Sequence, residues 1–501
     1  MRLRRMTWIL APLSSSIALG CFDSSVDDVP FFAPDSGASD GAAPLVDATM
    51  PEAGLAPDAG PGVDAAEEPA PPSPVTVVVR GPGGPESGKT IVFSDAAGAL
   101  LATATTDAHG VAAQILPAGS QVTALLGTSD FPQLVTVTGV QPGDTLTAVD
   151  GALQTTSQAG FQLPAAAPPD TTTQYEVLAG NCYQELASVD ASAGLIDLDP
   201  TCVNSAGQFP LLALAQDDVG ATVGFAFDKG IAIDADGGAP AAVIPPPWVT
   251  VLGQEAITLG HIADSTAPYL SLSEFSSGVP HTQYDFDLTP VDGGAAANFE
   301  THPGYADFVQ AELGLQGSTS AGSTINAIAT RATAPSVASP TQTLSIDADA
   351  ALPTITGASL DSTDVLRPRV TFTSTSPLTD AAGTFMTLSW QDGDADGGAR
   401  AGTWTLVVPS SVTSAQAPAL PASVALGPAA TALWDATPTV AALGGGPFAG
   451  YDALRSTAAE VGVALKPASV PLVPALPADG TMKVTVFYET ANVEGVVTPS
   501  L

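Results

Sequence analysis

From Val75 onward the chain reads as short apolar runs broken by turn residues. Val75-Thr76-Val77-Val78-Val79-Arg80 and Thr90-Ile91-Val92-Phe93 are rich in β-branched and aromatic residues, which fit a pleated, half-buried backbone. Further strands are expected at Leu101–Thr105, Val111–Leu116, Ser120–Leu125, Leu134–Thr138 and Thr145–Val149. The breaks between them are turn text: Gly81–Gly88, Asp95-Ala96-Ala97-Gly98 and Thr106-Asp107-Ala108-His109-Gly110. Short strands at this spacing predict a β-sandwich over 75–150.

The pattern continues downstream. Ala187–Leu198, Leu211–Ala215 and Ala221–Phe227 read as strands in a region spanning 151–260, and Pro245-Pro246-Pro247-Trp248 as a stiff connection that packs one aromatic. In 261–501, clear strands are Val370–Thr373, Thr384–Trp390, Thr403–Val408 and Met482–Tyr488. Ala306–Leu313 and Tyr451–Val461 are expected as short helices. No repeat of fixed period is evident, so neither a propeller nor a solenoid is expected. The fold class is all-β: a sandwich followed by one large β domain or by smaller ones.

The segment from about 75 to 150 resembles bacterial Ig-like and carboxypeptidase-regulatory-like domains. The resemblance rests on Gly88-Lys89-Thr90-Ile91-Val92-Phe93, Asp95–Gly98 and Thr105–Val111. It implies a spacer, an adhesive module or a stabiliser.

The amino terminus has a different character. Arg2, Arg4 and Arg5 precede a short apolar stretch, Trp8–Gly20, too short for a comfortable transmembrane helix and suited to a signal peptide over 1–20. It ends in Ile17-Ala18-Leu19-Gly20-Cys21, which resembles the lipobox of bacterial lipoproteins, with Ala18 where Leu is usual. The resemblance implies lipidation of Cys21, and Phe22 after the cysteine favours the outer membrane. Several acyl chains at about 0.8 kcal/mol per buried CH₂ would anchor stably where one would not. The alternative is an ordinary signal peptide cleaved near Gly20, with Cys21 incidental. Phe22–Pro74 then carries 11 acidic residues, 10 Pro and no Lys or Arg. Such text buries too little surface to offset chain entropy, so 21–74 is expected to be a disordered tether.

Composition narrows the function classes. With 51 Asp plus Glu against 13 Lys plus Arg, the net charge is −38. That charge opposes nucleic-acid binding, which needs cations to displace counterions, and electrostatic docking to anionic lipid. Cys182 and Cys202 lie 20 residues apart with no His nearby; in an oxidising compartment they are expected to form a disulfide, the alternative being two buried thiols.

Three motifs invite chemistry. Gly83–Thr90 satisfies the phosphate-loop pattern, but β-type residues follow Lys89 where a helix is needed, so no nucleotide is expected. Asp392, Asp394 and Asp396, with Gly397, space carboxylates as at the start of a calcium loop; no Glu closes it, as position 12 is Thr403, and a solvated hairpin is the plainer reading. Asp234 and Asp236 form a poorer version. His109, His261, His281 and His302 are scattered, and neither a nucleophile elbow nor a zinc-protease helix occurs. These features point to a lipid-anchored, non-enzymatic envelope protein with a structural or adhesive role, anchored to the outer membrane on its surface or periplasmic face, with no catalytic residues and no cofactor beyond the calcium possibility. The alternatives are a glycan- or protein-binding module using exposed aromatics near Trp390, Trp404 or Trp434, and a secreted hydrolase without a recognisable motif.

Overall fold

The computed structural model describes residues 73–488, apart from 82–83, 151–156, 187–189, 191, 199–201, 205–206, 233–237, 263–266, 287, 320–321, 394–398, 423, 425, 436, 447 and 458–479. It is all-β, and its strands group into four sandwiches.

The first contains β1 (Val75–Gly81), β2 (Gly84–Pro85), β3 (Thr90–Ser94), β4 (Leu100–Thr105), β5 (Val111–Gln114), β6 (Ser120–Gly127), β7 (Pro132–Val140) and β8 (Thr145–Val149). β1 lies between β5, antiparallel, and β8, parallel; the facing sheet runs β4-β3-β6-β7. Val77 and Val79 of one sheet and Ile91, Phe93 and Val122 of the other share one buried cluster. The two predicted turns have a common build. Asp95 Oδ1 accepts from the backbone N–H of Ala97 and Ala99, and Asp107 Oδ1 from His109 and Val111. Gly98 and Gly110 close them at φ 79° and 72°, a region that side chains disfavour.

The second sandwich contains β9 (Ser157–Gln162), β10 (Gln174–Ala179), β11 (Cys182–Leu186), β12 (Ala193–Leu198), β13 (Gln208–Gln216), β14 (Thr222–Ala232) and β15 (Gly238–Val243). The third contains β16 (Gly253–Gly260), β17 (Ala267–Ser276), β18 (Val279–Asp285), β19 (Ala295–Thr301), β20 (Phe308–Thr319), β21 (Gly322–Thr333) and β22 (Thr341–Asp347). Both repeat the connections of the first. β9 lies between antiparallel β12 and parallel β15, facing β11-β10-β13-β14; β16 lies between antiparallel β19 and parallel β22, facing β18-β17-β20-β21. The repeat is one of topology, carried on unlike residues and loops, so no sequence period marks it. The division placed at 260/261 falls at the end of β16, whose partners β19 and β22 both lie beyond it.

Ala306–Leu313, expected as a helix, instead leads into β20. Its apolar positions, Val309, Ala311, Leu313 and Leu315, alternate with Gln310, Glu312, Gly314 and Gln316, which is the period of a strand. The strand is paired on both edges, and both its faces are buried from Val309 to Leu315.

The fourth sandwich contains β23 (Ile355–Asp361), β24 (Arg369–Ser374), β25 (Gly383–Gly393), β26 (Ala399–Pro409), β27 (Ser414–Gln416), β28 (Leu433–Trp434), β29 (Thr439–Gly445), the helix α1 (Tyr451–Arg455) and β30 (Gly480–Tyr488). It opposes β23-β24-β27 to β26-β25-β29-β30 and does not share the repeated topology. The expected helix at Tyr451–Val461 is present over its first five residues; 458–461 lie outside the described residues.

Three of the four sandwiches share one sheet. Its path is β18-β17-β20-β21-β30-β29-β25-β26-β7-β6-β3-β4, and with β28 beside β25 it has 13 strands. The second sandwich stays outside this ladder. The outer face of its β10-β13-β14 sheet instead packs Leu178, Leu212, Leu214 and Phe225 into the apolar cluster of the third.

Candidate functional site

The junction of the second and third sandwiches gathers ionisable groups in a groove of about 230 Å³, lined by Glu176, Gln216, His281, Gln283, Glu300 and His302 among others. Glu274 sits near the end of β17, directly across from His281 on β18. His302 follows the last residue of β19, and Glu300 is on that strand. Glu176 and Gln216 enter from β10 and β13 of the second sandwich, where Gln216 donates to the Glu176 carboxylate at 2.9 Å.

Glu274 is fully buried and grips His302 twice. One oxygen accepts the His302 backbone N–H at 2.8 Å and the other faces ring Nδ1 at 2.7 Å. Burial opposes charge on both groups, but each offsets the cost for the other. Glu274 is therefore held below the usual carboxylate range and His302 above the usual imidazole range. His302 Nε2 is buried with no hydrogen-bond partner and lies 4.0 Å from Glu300. Burial pushes His281 down to about 4, against the pull of Glu274, and the Gly180 backbone bonds to its ring. The His281 and His302 ring centroids are 6.1 Å apart. Phe225 from the second sandwich meets the His302 ring edge-on at 5.2 Å, closing the apolar side. Chemically, the groove offers neutral imidazole and carboxylate oxygen side by side.

A second polar cluster lies in the open. His261 Nδ1 is 2.8 Å from Asp347 and 3.7 Å from Asp349, and all three residues are exposed. The hydrogen bond and charge of Asp347 raise the His261 pKa, and that of Asp347 is lowered in return.

The residues singled out from the sequence fall elsewhere. Cys21 lies outside the described residues, as do Asp394, Asp396, Asp234 and Asp236. Asp392 is buried on β25, pairs with Arg400 and accepts from the Ala429 N–H, so both its oxygens are engaged within the protein. Arg400, eight residues on, is the cation that Asp392 meets here, and the other two carboxylates of the calcium reading, Asp394 and Asp396, lie outside the described residues. Cys182 and Cys202 form a disulfide with Cα atoms 5.9 Å apart. Lys89 pairs with the buried Asp150 and is followed by β3 rather than by a helix. Trp390 and Trp404 are buried, and the partly buried Trp434 donates its Nε1–H to Val365 O at 3.0 Å. An aromatic platform there has lost its basis, because those rings build the core.

Sequence reading did not single out Glu274 and His302 as a pair. They are 28 residues apart, on β17 and just past β19, and no local spacing links them. The one available signal was a lone carboxylate within apolar strand text, Tyr269-Leu270-Ser271-Leu272-Ser273-Glu274-Phe275.

No family model matches the chain, and no curated protein does. Among solved structures it is similar to the Bacillus anthracis TIE protein, at 10% identity and TM-score 0.15, over 55% of this chain and 50% of that one. The chain thus spans half the length of that protein. It is also similar to the fimbrial anchor protein Mfa2 from Porphyromonas gingivalis, at 10% identity and TM-score 0.16, over 32% of this chain and 78% of that one.

Proposed function

We propose that this protein is a non-enzymatic scaffold of the bacterial cell envelope, tethered through a lipidated Cys21 and an acidic linker, with a structural or adhesive role. The observation that carries this reading is the 13-stranded sheet. Backbone hydrogen bonds run through three sandwiches without a break, which favours a stiff body over a hinged, cleft-forming one. The disulfide suits an oxidising compartment outside the cytoplasm. The charge of −38 keeps such a body from anionic lipid while a tether holds it nearby. Its partner would be a protein or a glycan, met at the envelope.

The experiment is fractionation of cells expressing wild type and Cys21→Ser, with protease added to intact and permeabilised cells and a blot for the 355–488 region. Release of Cys21→Ser from the membrane fraction is the expected result. Digestion in intact cells would place the scaffold at the surface, and digestion only after permeabilisation would place it in the periplasm. Retention of Cys21→Ser in the membrane would overturn the lipid anchor.

A further inference from the structure

We infer that the groove between the second and third sandwiches binds a zinc-class divalent metal ion through His302 Nε2, His281 and Glu300. Three independent features of the groove point to this ligand.

The first is the orientation of His302. An imidazole that binds a metal through one nitrogen usually donates the other N–H to a carboxylate, which fixes the tautomer and raises basicity. Glu274 occupies that place at 2.7 Å from Nδ1, and the His302 backbone N–H, at 2.8 Å from its other oxygen, holds it there. With Nδ1 committed to Glu274, Nε2 is the nitrogen left to a metal, which would take the place of its proton. Nε2 is buried, has no hydrogen-bond partner and belongs to a groove-lining residue.

The second is the company around Nε2. Glu300 Oε1 is 4.0 Å away, and the Glu300 side chain is 40% exposed, so it has room to swing the remaining distance. With Zn–N at about 2.0–2.1 Å, two imidazoles on one ion have centroids roughly 5–6 Å apart. The His281 and His302 centroids are 6.1 Å apart, and the ring nitrogens and the Glu300 oxygens do not all lie within 4.8 Å of one another, so the less buried His281 must turn to complete the set. The Gly180 bond to the His281 ring plays the part that Glu274 plays for His302.

The third is charge. Glu176 and Glu300 line the groove from opposite sandwiches of a strongly acidic chain, and among the described residues no Lys or Arg lines it. A dication there would offset both. Two imidazoles with one carboxylate is a donor set that suits zinc and leaves a fourth position for water. Calcium and magnesium favour all-oxygen shells and suit it poorly.

The test uses the untagged, disulfide-intact chain, freed of metal by a chelator and titrated with Co²⁺ as a visible probe, then with Zn²⁺ in competition. The expected result is one Co²⁺ per chain with the intense absorption of four-coordinate cobalt, displaced by Zn²⁺. His281→Ala and Glu300→Gln should each weaken binding at least tenfold, while His261→Ala, in the exposed cluster, should leave it unchanged. X-ray absorption of the zinc-loaded wild type should show two imidazole nitrogens in the shell, a readout that does not depend on any variant folding. Absence of saturable binding, loss of binding in His261→Ala alone, or a shell without two imidazoles would overturn the inference.

Discussion

Two kinds of seam hold this molecule together, and they are built on different principles. Where the first sandwich meets the fourth, β7 and β26 pair in parallel from Thr403↔Gln133 to Val407↔Val137. Main chain joins main chain, and side chains reinforce the join. Trp404 Nε1 donates to Thr136 Oγ1 at 2.8 Å, and the Tyr451 hydroxyl on α1 is 2.8 Å from Thr138 O and 3.0 Å from Val407 O. Where the second sandwich meets the third, no ladder crosses among the described residues. The contact is made by side chains: Leu212, Leu214 and Phe225 in an apolar cluster, with Glu274 and His302 buried at its edge. An edge seam tolerates many sequences, because backbone does the pairing. A face seam depends on which side chains are present, so single substitutions should tell the two apart.

The largest effect is expected at the face seam. His302→Ala leaves Glu274 buried without its partner, which costs about 3–5 kcal/mol. Replacing both residues by leucine removes the orphaned charge and should recover most of that loss. Denaturant unfolding of the two variants measures the difference; equal losses would mean that His302 acts through packing alone. Next is the disulfide. Cys182→Ser with Cys202→Ser opens a 20-residue separation worth roughly 3 kcal/mol in the chain-entropy model. Its effect should centre on the second sandwich, which among the described residues has no ladder to its neighbours. Hydrogen exchange resolved along the chain would show faster exchange in β9–β15 and little change in β25–β30. A uniform rise would contradict the separation of the two seams. At the edge seam, Thr136→Val strands the buried indole N–H of Trp404 and should cost about 1–2 kcal/mol. The parallel pairing of β7 with β26 should survive it, with exchange protection retained at that join.

Much of the strand text was legible because it carries β-branched residues, whether the strand is buried on one face, as β1, or on both, as β3. Val75–Arg80 and Thr90–Phe93 fall within β1 and at β3 as read. The turns Asp95–Gly98 and Asp107–Gly110 were legible for a local reason, since an aspartate oxygen and a positive-φ glycine act within four residues. Ala306–Leu313 was misread although Val309, Ala311, Leu313 and Leu315 alternate with polar residues; what the text hides is that Gln310 and Glu312 on the opposite face are buried as well. The repeated topology and the shared sheet could not be read at all. β7 and β26 are more than 260 residues apart, and pairing through backbone leaves no mark in side chains. Glu274 and His302 were hidden for the complementary reason: their side chains matter, but only long-range folding brings them together.

The last effect, read as a change with pH, sharpens the contrast inside a single sandwich. Glu255 on β16 and Glu274 on β17 are the same residue type, both buried in the third sandwich. Glu274 has His302; neither oxygen of Glu255 has a hydrogen-bond partner. Their pKa values move in opposite directions accordingly, and burial pushes Glu255 up to about 7. In the folded protein Glu255 therefore keeps its proton well above pH 4.5, where the unfolded chain gives it up. Below pH 4.5 both states are protonated and the group is neutral towards folding. As pH rises from about 4.5 to 7 the unfolded state alone gains from ionising, so stability falls through that window and levels off above it. Glu255→Gln cannot ionise and should lack this loss. The melting temperature of wild type relative to Glu255→Gln should drop by a few degrees between pH 4.5 and 7.5. A constant difference across that range would mean that Glu255 has found a partner or water in solution, and the contrast with Glu274 would then fail.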